Sequence, residues 1–291
     1  MSSGKALWGE TLLKLSPLLI PFLALFGGGL VMAVGQSFGL WVPIAPDNAL
    51  VGYRALLSEH ILRSALLSLW VGFASASLSV ALGAVLAYLF WRLPPHLERW
   101  AVVAKVPLIL PHIAVAFITL IFWSTSGVLS SLAYHLGLVD GMDAFPSLMY
   151  DATGTGMILA YVFKSTPFVI ILAMAMLRRL EPQLVETAAM LGAGEATIFW
   201  RLVLPRITSA LNTAFIILFL YAFGAFDIPF LLSGSSPGML SIEVFNLYFR
   251  RDLANRPTAM AILVCMFLFS LAFIVLYTRT ARRMAHRERK L

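Results

Sequence analysis

From Leu15 to Val42 the chain carries no charged residue. Five more long apolar runs follow it, three free of charge and two interrupted by a single one, Lys164 or Asp227. In lipid every backbone N–H and C=O must find its partner inside the segment, so runs of about 20 apolar residues fold as helices. The runs predict six spans, at roughly Pro17–Phe38, Ser64–Trp91, Val106–Trp123, Ala152–Leu177, Ile207–Leu232 and Thr258–Tyr277. Lys5 and Lys14 precede the first run as they would in a secretion signal. The run is far longer than the 7–15 residues or so of a signal core, so it is read as a span. Only 12% of the 291 residues are charged, about half the usual share of a soluble domain. The fold class predicted is an all-α membrane protein.

Six spans put both termini on one side, and lysine and arginine select that side. One face gathers Lys5, Lys14, Arg92, Arg99, Lys105, Arg178, Arg179, Arg201, Arg206 and the basic tail from Arg279 to Lys290. That face is expected to be cytoplasmic. The opposite face collects Asp47, Glu59, Asp140, Asp143, Asp151, Glu243 and Asp252. The net charge of +7 is therefore explained by topology and contact with anionic lipid headgroups, and no nucleic-acid partner is implied. Cys265 is the single cysteine, which excludes an intramolecular disulfide and a cysteine metal cluster. Three regions are expected: residues 1–62 as first span and outer loop, 63–280 as a core of five spans, and 281–291 as a cytoplasmic tail.

The connections on the basic face are short except for Arg178–Arg206. Pro182 suits the first turn of a helix. Leu184, Ala188 and Leu191 follow at helical spacing and predict one apolar face. Gly192, Ala193 and Gly194 predict a break, because glycine ends helices at little cost in the left-handed conformation. Glu195 then opens a second short helix, with Ile198, Phe199, Leu202 and Val203 as its apolar side, and Pro205 marks the approach to the next span. On composition alone this element is either an amphipathic loop on lipid or a protrusion that docks into a groove of another protein. "LSSLAYHLGL" (Leu129–Leu138) predicts a further short helix near the opposite surface.

The pattern Glu186-Thr187-Ala188, three residues, Gly192, nine residues, then Leu202-Val203-Leu204-Pro205 resembles the "EAA loop" of permease subunits of binding-protein-dependent ABC importers. Thr187 stands for the first alanine of that pattern and Leu202 for its isoleucine. The resemblance extends to "YVFKSTPFVIILAMAML" before the loop and "YAFGAFDIPFLLSG" after it, which are most similar to permeases for polyamines, ferric iron, thiamine and sulfate. It implies a type I ABC importer permease-like fold in the bacterial cytoplasmic (inner) membrane. It also implies that Glu186, Ala188, Leu191, Gly192, Ala193, Gly194, Phe199, Leu204 and Pro205 couple to an ATPase subunit. The partners implied are ABC ATPase subunits, a second permease chain (a copy or a relative) and a periplasmic or lipid-anchored solute-binding protein. The chain has no G-x-x-x-x-G-K-[ST] phosphate loop, so it is not expected to be an enzyme itself or to carry a cofactor.

Two charges lie inside predicted spans. Lys164 is about 12 residues into the fourth, roughly 18 Å deep at 1.5 Å per residue. Asp227 lies near the end of the fifth. Ionisable groups at such depth face a partner or a water-filled path. Two readings stand: a Lys164–Asp227 pair, or one of the two lining the pathway with Tyr221, Phe223 and Phe226 near it. Gly72, Ala76, Ser79, Gly83 and Ala87 form a small-residue stripe on the second span, which predicts close helix packing. A small ion-coupled secondary transporter is the main alternative function, but such folds carry internal repeats and none is evident. An intramembrane serine protease is disfavoured, because "STSG" (Ser124–Gly127) lacks the glycine expected before its x-Ser-Gly, and the five histidines fit no catalytic or metal motif.

Overall fold

A computed structural model describes residues 13–42, 48–94, 99–141, 144–234 and 237–288. Six helices are long and apolar enough to cross a membrane. The first, α1 (Leu13–Ser37), contains a widened π turn at Leu23–Gly27. The short α2 (Val51–Ala55) precedes the long α3 (Glu59–Trp91). After them come α4 (Val106–Ile109), α5 (His112–Trp123), α6 (Val128–His135) and α7 (Thr155–Leu177). The chain then forms α8 (Pro182–Met190), α9 (Glu195–Gly224) and α10 (Asp227–Leu232). It closes with α11 (Leu240–Phe245) and α12 (Arg256–Glu288).

Contacts divide the backbone into two compact units. One comprises residues 1–59 and 243–269. In it the Ser37 and Tyr53 hydroxyls share a hydrogen bond of 2.8 Å. Gly52 lies so close to the Pro257 carbonyl that a Cβ would sit 2.8 Å from its oxygen. The other unit comprises residues 60–242 and 270–291 and carries both large apolar clusters of the protein.

In this second unit α7 is the central post. It packs on α9, α5 and α4, and Met157, Ala160, Val169 and Ala173 along it are fully buried. The small-residue stripe of α3 faces inward: Ala76, Ser79 and Ala87 are buried, as are Gly72 and Gly83. A Cβ on Gly83 would lie 2.5 Å from the Val169 Cβ, so α3 and α7 meet there nearly backbone to backbone. In lipid, where helix association rests on van der Waals packing, this contact holds the two helices together.

Two spans depart from the sequence reading. The third is not one helix over Val106–Trp123: it stops at Ile109 and restarts at His112. Leu110 is extended (ψ 136°), as a residue before proline prefers, and Pro111 follows. The fifth ends at Gly224 instead of Leu232. Pro229 cannot donate to the Ala225 carbonyl, so an unbroken helix through this stretch would lose a hydrogen bond. Restarting at Asp227 places Pro229 in a first turn, where no donor is needed. The STSG segment makes the bend between α5 and α6. Gly127 is packed so tightly there that a Cβ would lie 2.5 Å from the Ile121 oxygen. Gly83→Ala forces a methyl into the α3–α7 contact, and overpacking of this kind costs about 1–3 kcal/mol. Its apparent melting temperature in detergent should fall below that of a control Gly141→Ala, where a Cβ meets nothing within 4 Å.

Candidate coupling element and intramembrane site

The segment after α7 builds a compact projection. Pro182 occupies the first turn of α8. The helix ends in a Schellman turn: Gly192 N–H donates to the Ala189 carbonyl at 2.9 Å, and Ala193 N–H to the Ala188 carbonyl at 3.0 Å. Gly192 has φ +86°, which a residue with a side chain adopts only under strain. Gly194 is extended and precedes Glu195, the first residue of the next helix. Thr187, which stands where the family pattern has alanine, donates its hydroxyl to the Gln183 carbonyl at 2.7 Å, so the extra polar group is satisfied within the helix.

The face that α8 buries in this chain is not the Leu184–Ala188–Leu191 side. Val185 is the buried anchor of α8, with Ala188 and Ala193 partly buried against the same cluster. Leu191 is 83% exposed and its neighbour Met190 81%. The helical register explains this: once Val185 turns toward the core, Leu184 is carried to its edge and Leu191 lies at the free tip beside the Gly192 turn. Glu186 is exposed and makes no hydrogen bond or ion pair among the described residues.

The second helix is also not a separate short element. Glu195 to Gly224 runs as one helix, through a π turn at Phe199–Val203. Pro205 sits just after that turn, and the wider turn accommodates its missing N–H. Ile198 and Val203 are fully buried, and Phe199, Leu202 and Leu204 pack partly against the core. Glu195 fastens the start of this helix to the end of α3. The Tyr88 hydroxyl donates to its Oε2 at 2.5 Å, and the Arg92 guanidinium pairs with its Oε1. The Tyr88 ring packs on Phe199, with centroids 5.3 Å apart. Sequence reasoning assigned Glu195 only to the helix dipole, because a clamp to residues about a hundred positions earlier leaves no local signal.

Inside the membrane the two expected charges part company. Lys164 is buried, and its ammonium donates to the carbonyls of Pro107 and Leu108, each at 2.9 Å, and to that of Leu110. These are the carbonyls left without partners where α4 stops, and a cation there is favoured by charge and hydrogen bonding together. Asp227 is exposed and forms no hydrogen bond or ion pair among the described residues. The predicted Lys164–Asp227 pair is thus not formed; the lysine's donors are all engaged by backbone oxygens. His112, the first residue after the α4–α5 break, lies within electrostatic reach of both charges. Its ring packs on Tyr221, with centroids 5.1 Å apart, and Tyr221 meets Tyr161 edge-on at 6.3 Å. Phe223 is buried, whereas the Phe226 ring packs at a tilt on Phe230, with centroids 5.1 Å apart.

The family model for binding-protein-dependent transport system inner membrane components matches residues 99–286. The chain belongs to this family and is a multi-pass permease subunit of an ABC importer. It is 26% identical to the inner membrane ABC transporter permease protein YdcU of Escherichia coli K12 over 95% of this chain and 90% of that one. It is 27% identical to the sulfate transport system permease protein CysT of Synechococcus elongatus, over 88% of this chain and 84% of the relative. Its fold matches a chain of a bacterial alginate ABC transporter, solved in complex with an alginate pentasaccharide-bound periplasmic protein. That match has TM-score 0.77 and 21% identity, and it covers 96% of this chain and 97% of the other.

With no Lys164–Asp227 bond, the effects of Lys164→Met and Asp227→Asn on melting should add. A double-mutant cycle is expected to give a coupling below about 0.5 kcal/mol, with Lys164→Met alone strongly destabilising because it strands one buried and two partly buried carbonyls.

Proposed function

We propose that this permease subunit is driven from the Glu186–Pro205 element, which docks on a separate ATPase subunit at the cytoplasmic face. The observation that carries the reading is the division of labour within the element. Val185, Ile198 and Val203 are buried anchors, while Met190 and Leu191 stand bare at the tip. A bare apolar tip on a rigid turn suits insertion into a groove of a partner protein. Because α9 continues without interruption from Glu195 into the membrane, a push on the tip is delivered along one helix, and the Glu195 clamp delivers it to α3 as well. The excess of lysine and arginine on the same side supports a cytoplasmic location for the element and for both termini.

A second permease chain, identical or related, completes the pathway in this reading. A solute-binding protein, periplasmic or lipid-anchored, delivers cargo to the opposite face. Matching relatives bear names for trehalose/maltose, molybdenum and sulfate transport, so relatedness alone assigns no solute.

Leu191→Cys in the assembled importer should crosslink to a cysteine placed in the ATPase groove, and Leu191→Arg should abolish uptake while the chain still reaches the membrane. No crosslink from either Leu191 or Met190, with uptake unaffected by the arginine, would exclude docking through this tip. Glu195→Gln tests the clamp: the pair is largely exposed and contributes under about 1 kcal/mol. Stability should barely change, while solute moved per ATP hydrolysed falls.

A further inference from the structure

We propose that His112, Tyr161, Tyr221 and Asp227 line a transit site that selects organic cations, resting on the permease reading above. Three observations converge on it. The first is place. Lys164 is nine residues along α7 from Thr155, about 14 Å by helix rise, hence near the middle of a span of 23 residues. The α4–α5 break is level with it, since the Lys164 ammonium donates to the Leu110 carbonyl, and α10, which Asp227 opens, packs on both α5 and α7. Two interrupted helices therefore meet at mid-depth, α4–α5 at Leu110–Pro111 and α9–α10 at Ala225–Phe226. Irregular backbone at that depth is tolerated where it lines a cavity or is buried in protein, and broken helices mark solute sites in transporters generally.

The second observation is charge. Lys164 has no reachable positive charge to offer: it is 7% exposed and spent on three carbonyls. Asp227 is exposed and unbonded. An ionised carboxylate facing lipid is excluded by its cost, so it faces water or a charged ligand. The accessible charge at this level is therefore negative.

The third observation is the surround. Tyr221 is 37% exposed and its ring packs at a tilt on His112. The Tyr161 hydroxyl is fully buried without a hydrogen-bond partner. Tyr161, Tyr221 and His112 form one chain of ring contacts, and α10, which Asp227 opens, packs on the helices that carry Tyr161 and His112. An aromatic face beside a carboxylate is the arrangement that attracts ammonium groups, by ring quadrupole and by charge. A sulfate or another anion would meet Asp227 there, while Lys164 is spent on backbone carbonyls.

The test uses charged thiol reagents, so no solute need be known. Tyr221→Cys is placed in a Cys265→Ser background in the full importer in membranes. It is treated with an ethylammonium methanethiosulfonate and with the sulfonatoethyl reagent of similar size. The cationic reagent should react at least tenfold faster relative to each reagent's rate with free thiol, and Asp227→Asn should erase the preference. His112→Cys repeats the measurement should Tyr221→Cys fail to assemble. Equal rates, a preference for the anionic reagent, or no labelling at both positions would overturn the site. If labelling keeps its cation preference but never changes with ATP and vanadate, the coupling reading fails and the site stands.

Discussion

The arrangement inside the membrane depends on where the ammonium of Lys164 goes. Where α4 stops, its last carbonyls lose their helical partners, and each is unfavourable left unbonded where protein shields it from water. The Lys164 side chain reaches from α7 to the end of α4 and satisfies three of them. The lysine in turn needs those oxygens, since a buried charge without partners is equally unfavourable. Break and lysine therefore require each other. With the carbonyl end of α4 fixed, α5 can restart at His112 in a new direction and meet α10 at the second break.

The same unit builds its rigid parts from close approach and its movable parts from interruption. α3 is held to α7 at Gly83 and to α9 through Glu195, and α9 packs along α7. These three long helices share one apolar cluster that also contains Val185, Ile198 and Val203 from the projecting element. The breaks at Leu110–Pro111 and Ala225–Phe226 lie against the other cluster, which includes Val115, Met157, Tyr161 and Ile228.

Much of this was legible in the sequence, for identifiable reasons. Span number followed from charge-free length, and the Gly192 turn from glycine placement, because both signals are local. The small-residue stripe of α3 was legible through its period. The breaks were not, since a run such as Val106–Trp123 is apolar throughout and hydropathy is blind to backbone direction; Pro111 and Pro229 were the only cues. Lys164 was rightly placed in the membrane, but its partner was sought among side chains. Backbone oxygens exposed by an unforeseen break have no letter in a sequence. For α8, apolar spacing says which residues share a side, not whether that side turns to the protein's own core or away from it; Val185 is buried and Leu191 is exposed.

The unbroken course of α9 has a geometric consequence. Thirty residues make a rod about 45 Å long, with one end at the exposed turn and the other at the Ala225–Phe226 break. Pivoting such a rod about its middle by about 10° swings each end through about 4 Å, in opposite senses. A nudge smaller than one helical turn at the surface thus reappears, reversed, beside Asp227, where the adjoining chain is jointed and can follow it.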